Sequence, residues 1–242
     1  MNSFFKHLLL YTPFRKYYGY LRFIYFTKFR SKLKTFDINN SLENTIEYNL
    51  TAFKHIRNDF SMNRMMYLIH GLLSLEFIDK NAKILVLGPR TENDLLILNG
   101  YGFKNVVGLD LITYSPYILL GDMHAMPFIE NDFDVVICGW TISYSKEPDI
   151  ACNEIYRVLN SSGIAIFGFD HLNINNSNIK GDAPVQPNRI NSTSDIKKMF
   201  ENKIHSVYAE YDAELKHTSI NEIKKVSGLE ASIVSIMFKI KK

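Results

Sequence analysis

The sequence has little cysteine. Cys138 and Cys152 are its only two among 242 residues, 14 apart and in no C-x-x-C pair, and its seven histidines include no H-x-x-x-H. Neither a disulfide-stapled scaffold nor a zinc site nor a redox dithiol is signalled, and a reducing cytoplasm is the expected setting. Only 12 glycines and 7 prolines are present, which excludes collagen-like and low-complexity chains. No apolar run approaches the ~20 residues that span a bilayer. Leu8 to Tyr11 is too short for a signal-peptide core and no small-residue cleavage site follows, so the N-terminal segment is expected to be retained.

Acid is missing altogether from residues 1–36, which hold eight cations: Lys6, Arg15, Lys16, Arg22, Lys28, Arg30, Lys32 and Lys34. The remainder carries 20 basic against 25 acidic residues, a net −5, which argues against a nucleic-acid partner. The same segment is dense in aromatics from Phe4 to Phe36. Two readings stand side by side. One is an interfacial element, with rings at headgroup level and Lys/Arg on anionic lipid, giving peripheral contact at the inner face of the membrane. The other is a pair of short helices whose aromatics pack on the main domain while the cations face water. Either way residues 1–40 form an extension ahead of a domain over 41–242.

With 46% hydrophobic residues, that domain can build a full core. Ile46, Leu50, Phe53 and Ile56 form a helical stripe over Ser41 to Arg57, and Met66, Ile69, Leu73 and Phe77 another over Asn63 to Ile78. The period then changes. Lys83–Gly88, Asn105–Asp110, Phe133–Cys138 and Gly163–Gly168 are continuous apolar runs bounded by Gly, Asp or Asn, the pattern of strands buried on both faces. Between them, Thr91-Glu-Asn-Asp94 resembles a capping box ahead of a helix, and Pro148 to Leu159 reads as another helix. The alternation predicts a Rossmann-like, doubly wound α/β fold with a mostly parallel sheet and helices on both faces. An Asn-rich stretch from His171 to Pro184 reads as a loop and a potential lid. Beyond it a helix over Ser194–Asn202, a strand over His205–Tyr211, a helix over Ser219–Ser227 and a strand over Ala231–Ile240 are predicted.

Ligands of open α/β sheets bind beyond the carboxyl ends of the strands. There stand Gly88-Pro89-Arg90, leading to a helix N-terminus suited to an anionic group, and Asp110, 22 residues on, near the spacing at which a carboxylate accepts from ribose hydroxyls. A strand-terminal Asp opening a turn is the plain alternative for Asp110.

Over roughly Lys83 to Phe169 the chain resembles class I S-adenosylmethionine-dependent methyltransferases. Gly121-Asp-Met-His-Ala-Met-Pro-Phe128 with Asn131-Asp-Phe-Asp-Val-Val-Ile137 looks like that family's acidic residue, small-molecule loop and fourth strand. Asn153-Glu-Ile-Tyr-Arg-Val-Leu-Asn-Ser-Ser-Gly163 is similar to its E-x-x-R-V-L-x-x-G-G segment, with Ser162 at the first paired glycine. The Gly-Pro-Arg and Gly-Asp-Met-His pattern also resembles methyltransferases encoded with bacterial surface-polysaccharide genes. The resemblance implies S-adenosylmethionine as cofactor. Asp110, with Leu111 beside it, would hold the ribose, Asp122 the adenine amino group, Met123 and His124 the ring, and Gly88 with Pro89, Arg90 and Gly139 the methionine end. Two departures stand out. Arg90 and Glu92 occupy positions where the family's turn carries glycines, so Arg90 either meets the cofactor carboxylate or pairs with Glu92 or Asp94. The 12 residues from Asp110 to Asp122 leave no room for a crossover helix, so an irregular connection and a third strand reduced to about Tyr117–Leu120 are expected.

The implied activity is methyl transfer to a hydroxyl of a small or sugar-based acceptor. The Asn/Asp-Pro-Pro-Tyr/Phe signature of base methylation is absent, and Cys138-Gly-Trp-Thr-Ile-Ser-Tyr144 stands in its place. His171, at the end of the fifth strand beside Asp170, is the candidate base, and Trp140 and Tyr144 are candidates to shape the acceptor site. No G-x-G-x-x-G and no Tyr-x-x-x-Lys occur, which counts against a dinucleotide enzyme. The rival is a non-catalytic scaffold at the membrane with an eroded glycine turn.

Overall fold

The computed structural model describes residues 3–36, 43–53, 56–60, 64–170, 190, 192–212 and 233–242. The apolar runs become the strands β2 (Lys83–Leu87), β3 (Asn105–Asp110), β6 (Phe133–Gly139) and β7 (Leu159–Asp170). With β5 (Ile118–Leu120), β8 (Ile204–Tyr211) and β9 (Ile233–Ile240) they form a seven-stranded sheet of order β5-β3-β2-β6-β7-β9-β8. β5 through β7 in that order run parallel, whereas β9 lies antiparallel between β7 and β8. The expected Rossmann-like arrangement is thus present.

Helices cover both faces. On one, α7 (Pro148–Val158) and α8 (Thr193–Phe200) pack against Phe133, Phe167 and Phe238. On the other, α5 (Met66–Leu73) and α6 (Asn93–Gly100) cover Ile84, Val86, Val135 and Ile137. Ser192 and Asp195 form a reciprocal capping box at α8. The box predicted at Thr91-Glu-Asn-Asp94 does not form: Glu92 is the N-cap and its carboxylate is engaged elsewhere. The stripe over 41–57 is divided into α3 (Glu43–Ala52) and α4 (Ile56–Asp59). The helix predicted over 219–227 lies outside the described residues.

The first 36 residues form α1 (Ser3–Leu10), α2 (Thr12–Ile24), a π-helical turn (Tyr25–Phe29) and β1 (Lys34–Thr35). Phe5, Phe14, Tyr18, Phe23 and Phe26 build a third apolar cluster with Leu96 and Tyr114 of the main domain. A Cβ on Gly19 would lie 2.3 Å from the Phe60 ring, so only glycine lets α2 come this close. These rings pack on the domain as in the second reading, but Tyr17, Tyr25 and Phe29 stay exposed and the cations do not all face water. Arg15, 2% exposed, donates to Asn93 Oδ1 at 2.9 Å and to the Leu9 carbonyl at 2.9 Å. Arg22 forks onto the fully buried Glu92, Nε to Oε2 at 2.5 Å and Nη2 to Oε1 at 2.9 Å, and the Ser115 hydroxyl donates to the same carboxylate. β1 pairs antiparallel with β4 (Ile112–Thr113) immediately after β3, and the Phe36 N–H bonds the Leu111 carbonyl. No helix joins β3 to the three-residue β5, as expected from the short spacing, and the extension covers this connection.

Removing one partner of a buried ion pair strands the other charge in low dielectric. Arg22→Ala should lower the urea unfolding free energy by ~3 kcal/mol. Adding Glu92→Gln to it should restore part of that loss, because no bare carboxylate then remains buried.

Candidate functional site

A cleft open to solvent at its mouth lies beyond the carboxyl ends of β2, β3 and β6. Gly88, Arg90, Asp110, Leu111, Asp122, Met123, His124 and Gly139 all line it, while Pro89 lines an adjoining recess with Gly88, Arg90 and Gly139. The predicted cofactor residues are therefore brought together. His171 lies outside the described residues.

The turn after β2 is held by β3. Gly88 sits at φ +64° and Arg90 at φ +52°. For glycine this costs nothing, whereas an L-residue there is disfavoured by ~1–2 kcal/mol. The Arg90 N–H donates to Asp110 Oδ2 at 2.7 Å, which offsets that cost by fixing the turn to the end of β3. Asp110 Oδ1 also accepts from the Ile112 N–H at 3.1 Å. Burial dominates the Asp110 carboxyl and pushes its pKa up, against these N–H donors and the Arg90 charge. The carboxylate so placed uses two of its acceptor positions on the backbone and keeps others for a ligand. Arg90 does not pair with Glu92, which belongs to Arg22; its Nε donates to Asn49 Oδ1 of α3 at 3.1 Å. The side of Gly88 where a Cβ would project is filled by Thr141, 2.4 Å from the ideal position, so packing as well as φ demands glycine. At Gly139 the corresponding space is taken by Met65.

The loop after β5 is organised by the E-x-x-R segment. Glu154 accepts from the Met126 N–H at 2.7 Å, and Arg157 donates to the carbonyls of Phe128 at 2.8 Å and Met126 at 3.0 Å. The two side chains also pair with each other at 2.6 Å, so α7 clamps both edges of residues 126–128 and thereby presents Asp122, Met123 and His124 to the cleft. His124 Nδ1 lies 2.5 Å from Asp122 Oδ1, and its Nε2 lies 2.6 Å from the Ser145 hydroxyl. Burial opposes ionisation of Asp122, but the His124 ring and backbone N–H outweigh it and hold the carboxyl below its usual range. Met123 both lines the cleft and packs on the core, so its two sequence readings coexist.

The far wall consists of Trp140, Thr141 and Tyr144, joined by Tyr48 and Asn49 of α3 and by Arg64. Trp140, at φ +57°, donates its indole N–H to Asp170 Oδ1 at 2.8 Å, and the Arg64 guanidinium lies 5.0 Å from the ring centre. Burial is the main cause that raises the Asp170 carboxyl, against the Trp140 N–H and the Arg64 charge. Tyr144 is likewise raised, chiefly by burial. Cys138 is fully buried and its thiol is pushed up to about 12, which leaves it a small apolar side chain rather than a nucleophile. Sequence reasoning missed Tyr48, Asn49 and Arg64: the first two sit within a stripe read only for its apolar members, and Arg64 carries no motif.

Residues 85–167 match the family model of a methyltransferase domain. No curated protein matches the sequence. Among solved structures, the chain is similar to one from the Haloferax volcanii complex of the Trm112 methyltransferase activator with a methyltransferase, at 15% identity, TM-score 0.58 and coverage of 81% of this chain and 98% of that one. It is also similar to the PH0226 protein of Pyrococcus horikoshii, at 18% identity, TM-score 0.53 and coverage of 75% of this chain and 92% of that one. A third is a Thermotoga maritima S-adenosylmethionine-dependent methyltransferase named as a candidate histamine N-methyltransferase, at 16% identity, TM-score 0.52 and coverage of 83% and 98%. At these identities the likeness is one of fold, and the family match over β2 to β7 adds the chemistry. Over residues 85–167 the chain matches a methyltransferase domain, and the similar Thermotoga maritima protein is named as dependent on S-adenosylmethionine.

Proposed function

We propose that the protein moves a methyl group from S-adenosylmethionine to a hydroxyl of a small or sugar-based acceptor, in surface-polysaccharide biosynthesis. The observation that carries the acceptor reading is the composition of the far wall. Trp140, Tyr48 and Tyr144 offer aromatic surface beside the polar Asn49 and Arg64, a mixture suited to a polyhydroxylated ligand. The sugar class and the polysaccharide role rest further on the Gly-Pro-Arg and Gly-Asp-Met-His resemblance.

When bound, the cofactor supplies a methyl group on a sulfonium, open to in-line displacement. The chain positions the partners and removes a proton. Asp110 would hold the ribose and Asp122 the adenine amine, with Met123 and His124 at the ring. The acceptor lies along Trp140 and Tyr144. Its proton passes to a base at the end of β7, for which His171, beside Asp170, is the candidate. That Asp110 and Asp122 both line one cleft supports a ligand-binding role over a bare scaffold.

Calorimetric titration with S-adenosylmethionine, followed by release of S-adenosylhomocysteine over a panel of hydroxylated sugars, tests this reading; failure of every sugar alongside turnover on an amine would overturn it. Asp110→Ala should weaken cofactor binding by roughly 30- to 100-fold, corresponding to the loss of hydrogen bonds to a charged group, with unchanged circular dichroism. His171→Ala should keep cofactor affinity and lose turnover, while full turnover in that variant would remove His171 as the base. The pH dependence has a definite sign. Because the Asp170 pKa is raised on folding, the native state holds its proton more tightly than the unfolded chain. Asp170 therefore makes the fold less stable as pH rises from the ordinary carboxylate range through the raised value. Asp170→Asn, which keeps an oxygen for Trp140, should be the more stable protein at neutral pH. Its advantage in urea midpoint should close as the pH is lowered towards the ordinary carboxylate range.

A further inference from the structure

Helix α2 is used on two faces. Inward, Arg15, Gly19, Arg22 and Phe23 meet Asn93, Phe60, Glu92 and Tyr114. Outward, Tyr17, Leu21, Tyr25 and Phe29 follow one another at intervals of four, on past the helix end into the π-helical turn. They are 64%, 45%, 49% and 76% exposed. A spacing of four keeps successive side chains on one face, so this is a continuous apolar stripe on a helix whose core packing is already satisfied by its other side. Beside it stand Lys16, Lys28, Arg30 and Lys32, and none of these four cations has an acidic partner among the described residues.

We propose that this stripe docks on an anionic lipid surface, α2 lying along it with Tyr17, Leu21, Tyr25 and Phe29 entering the headgroup region and the flanking cations on the lipid phosphates. Three observations favour this occupant. The stripe is a convex helix face rather than a groove, which suits a planar surface. Residues 1–36 contain eight cations and no acid, so a second copy seated on the same face would set like charges against each other. Aromatic rings interleaved with Lys and Arg are the composition of interfacial helices, which bind through apolar area and anionic charge together. No helix among the described residues is long and apolar enough to cross a membrane, so the contact is one of lying on the surface.

The test is flotation of the full chain with vesicles of phosphatidylcholine alone and of phosphatidylcholine mixed with phosphatidylglycerol. Binding to the mixed vesicles only, weakening with salt, is expected. Leu21→Ser with Phe29→Ser should lower the partition coefficient at least about tenfold, and Lys28→Glu with Lys32→Glu should do likewise. Both double variants should titrate with S-adenosylmethionine as the parent does, since neither pair touches the cleft. Failure of the parent chain to float with anionic vesicles would overturn the proposal, as would undiminished binding by both variants. So would a concentration-dependent dimer in solution that Leu21→Ser with Phe29→Ser abolishes, because the stripe would then be covered by a second copy.

Discussion

The carboxylate of Glu92 is buried at the N-cap of the helix that follows the first core strand, and a buried charge must be matched where it stands. Arg22 matches it with two hydrogen bonds, and Ser115 adds a third from the connection after β3. Burial works against the Arg22 charge, but the Glu92 partnership prevails and raises its pKa. Much of the molecule depends on this contact. It fixes α2 against α6, brings Tyr114 under Phe23 and Phe53, and ties three segments that are distant in sequence into one wall. The extension is thereby built into the structure of the turn. A helix between β3 and β5 would have to occupy the space that these aromatic side chains fill.

The same turn shows how a glycine-poor sequence shapes the cleft beyond the first core strand. Where the resemblance would place further glycines, Arg90 adopts the left-handed backbone itself and Glu92 is drawn inward by Arg22. Asp110 is what makes the first substitution tolerable, because its oxygen accepts the Arg90 N–H. One carboxylate thus has two tasks, one on the protein backbone and one facing the cleft. The turn is not an eroded version of a glycine loop but one braced from outside, by β3 on one side and the extension on the other.

The strands were legible because burial on both faces leaves a run of apolar residues with sharp ends, and Asn105–Asp110 keeps its predicted limits. The last strand was legible too, but its antiparallel direction was not, since direction leaves no mark on an apolar run. The capping box at Thr91–Asp94 does not form because the helix starts one residue later, with Glu92 as N-cap, while Thr91 Oγ1 and Asp94 Oδ1 both accept from Asn93. Composition marked the extension as basic and aromatic. It could not separate Arg15 and Arg22, which look inward, from Lys28 and Arg30, which do not, because that depends on which face of α2 meets the domain.

The two halves of the cleft differ in how their residues are specified. The cofactor half is set by strand ends and by backbone hydrogen bonds: Asp110 on the Arg90 and Ile112 N–H groups, Asp122 on the His124 N–H at 3.0 Å, and the loop edges on Glu154 and Arg157. Such positions have fixed spacing from the apolar runs, so they can be found in a sequence. The far half is assembled from side chains that come from α3, from Arg64 ahead of α5 and from the loop after β6, where Asp170 at the end of β7 holds the Trp140 indole. Nothing in their spacing marks them, because they meet only when the helices close over the sheet. On the proposed reading, a binding half with fixed spacing and a wall of scattered side chains allow the acceptor to change without disturbing the cofactor. Identification of the acceptor accordingly has to begin from Trp140, Tyr144 and Arg64 rather than from the motifs that carry the resemblance.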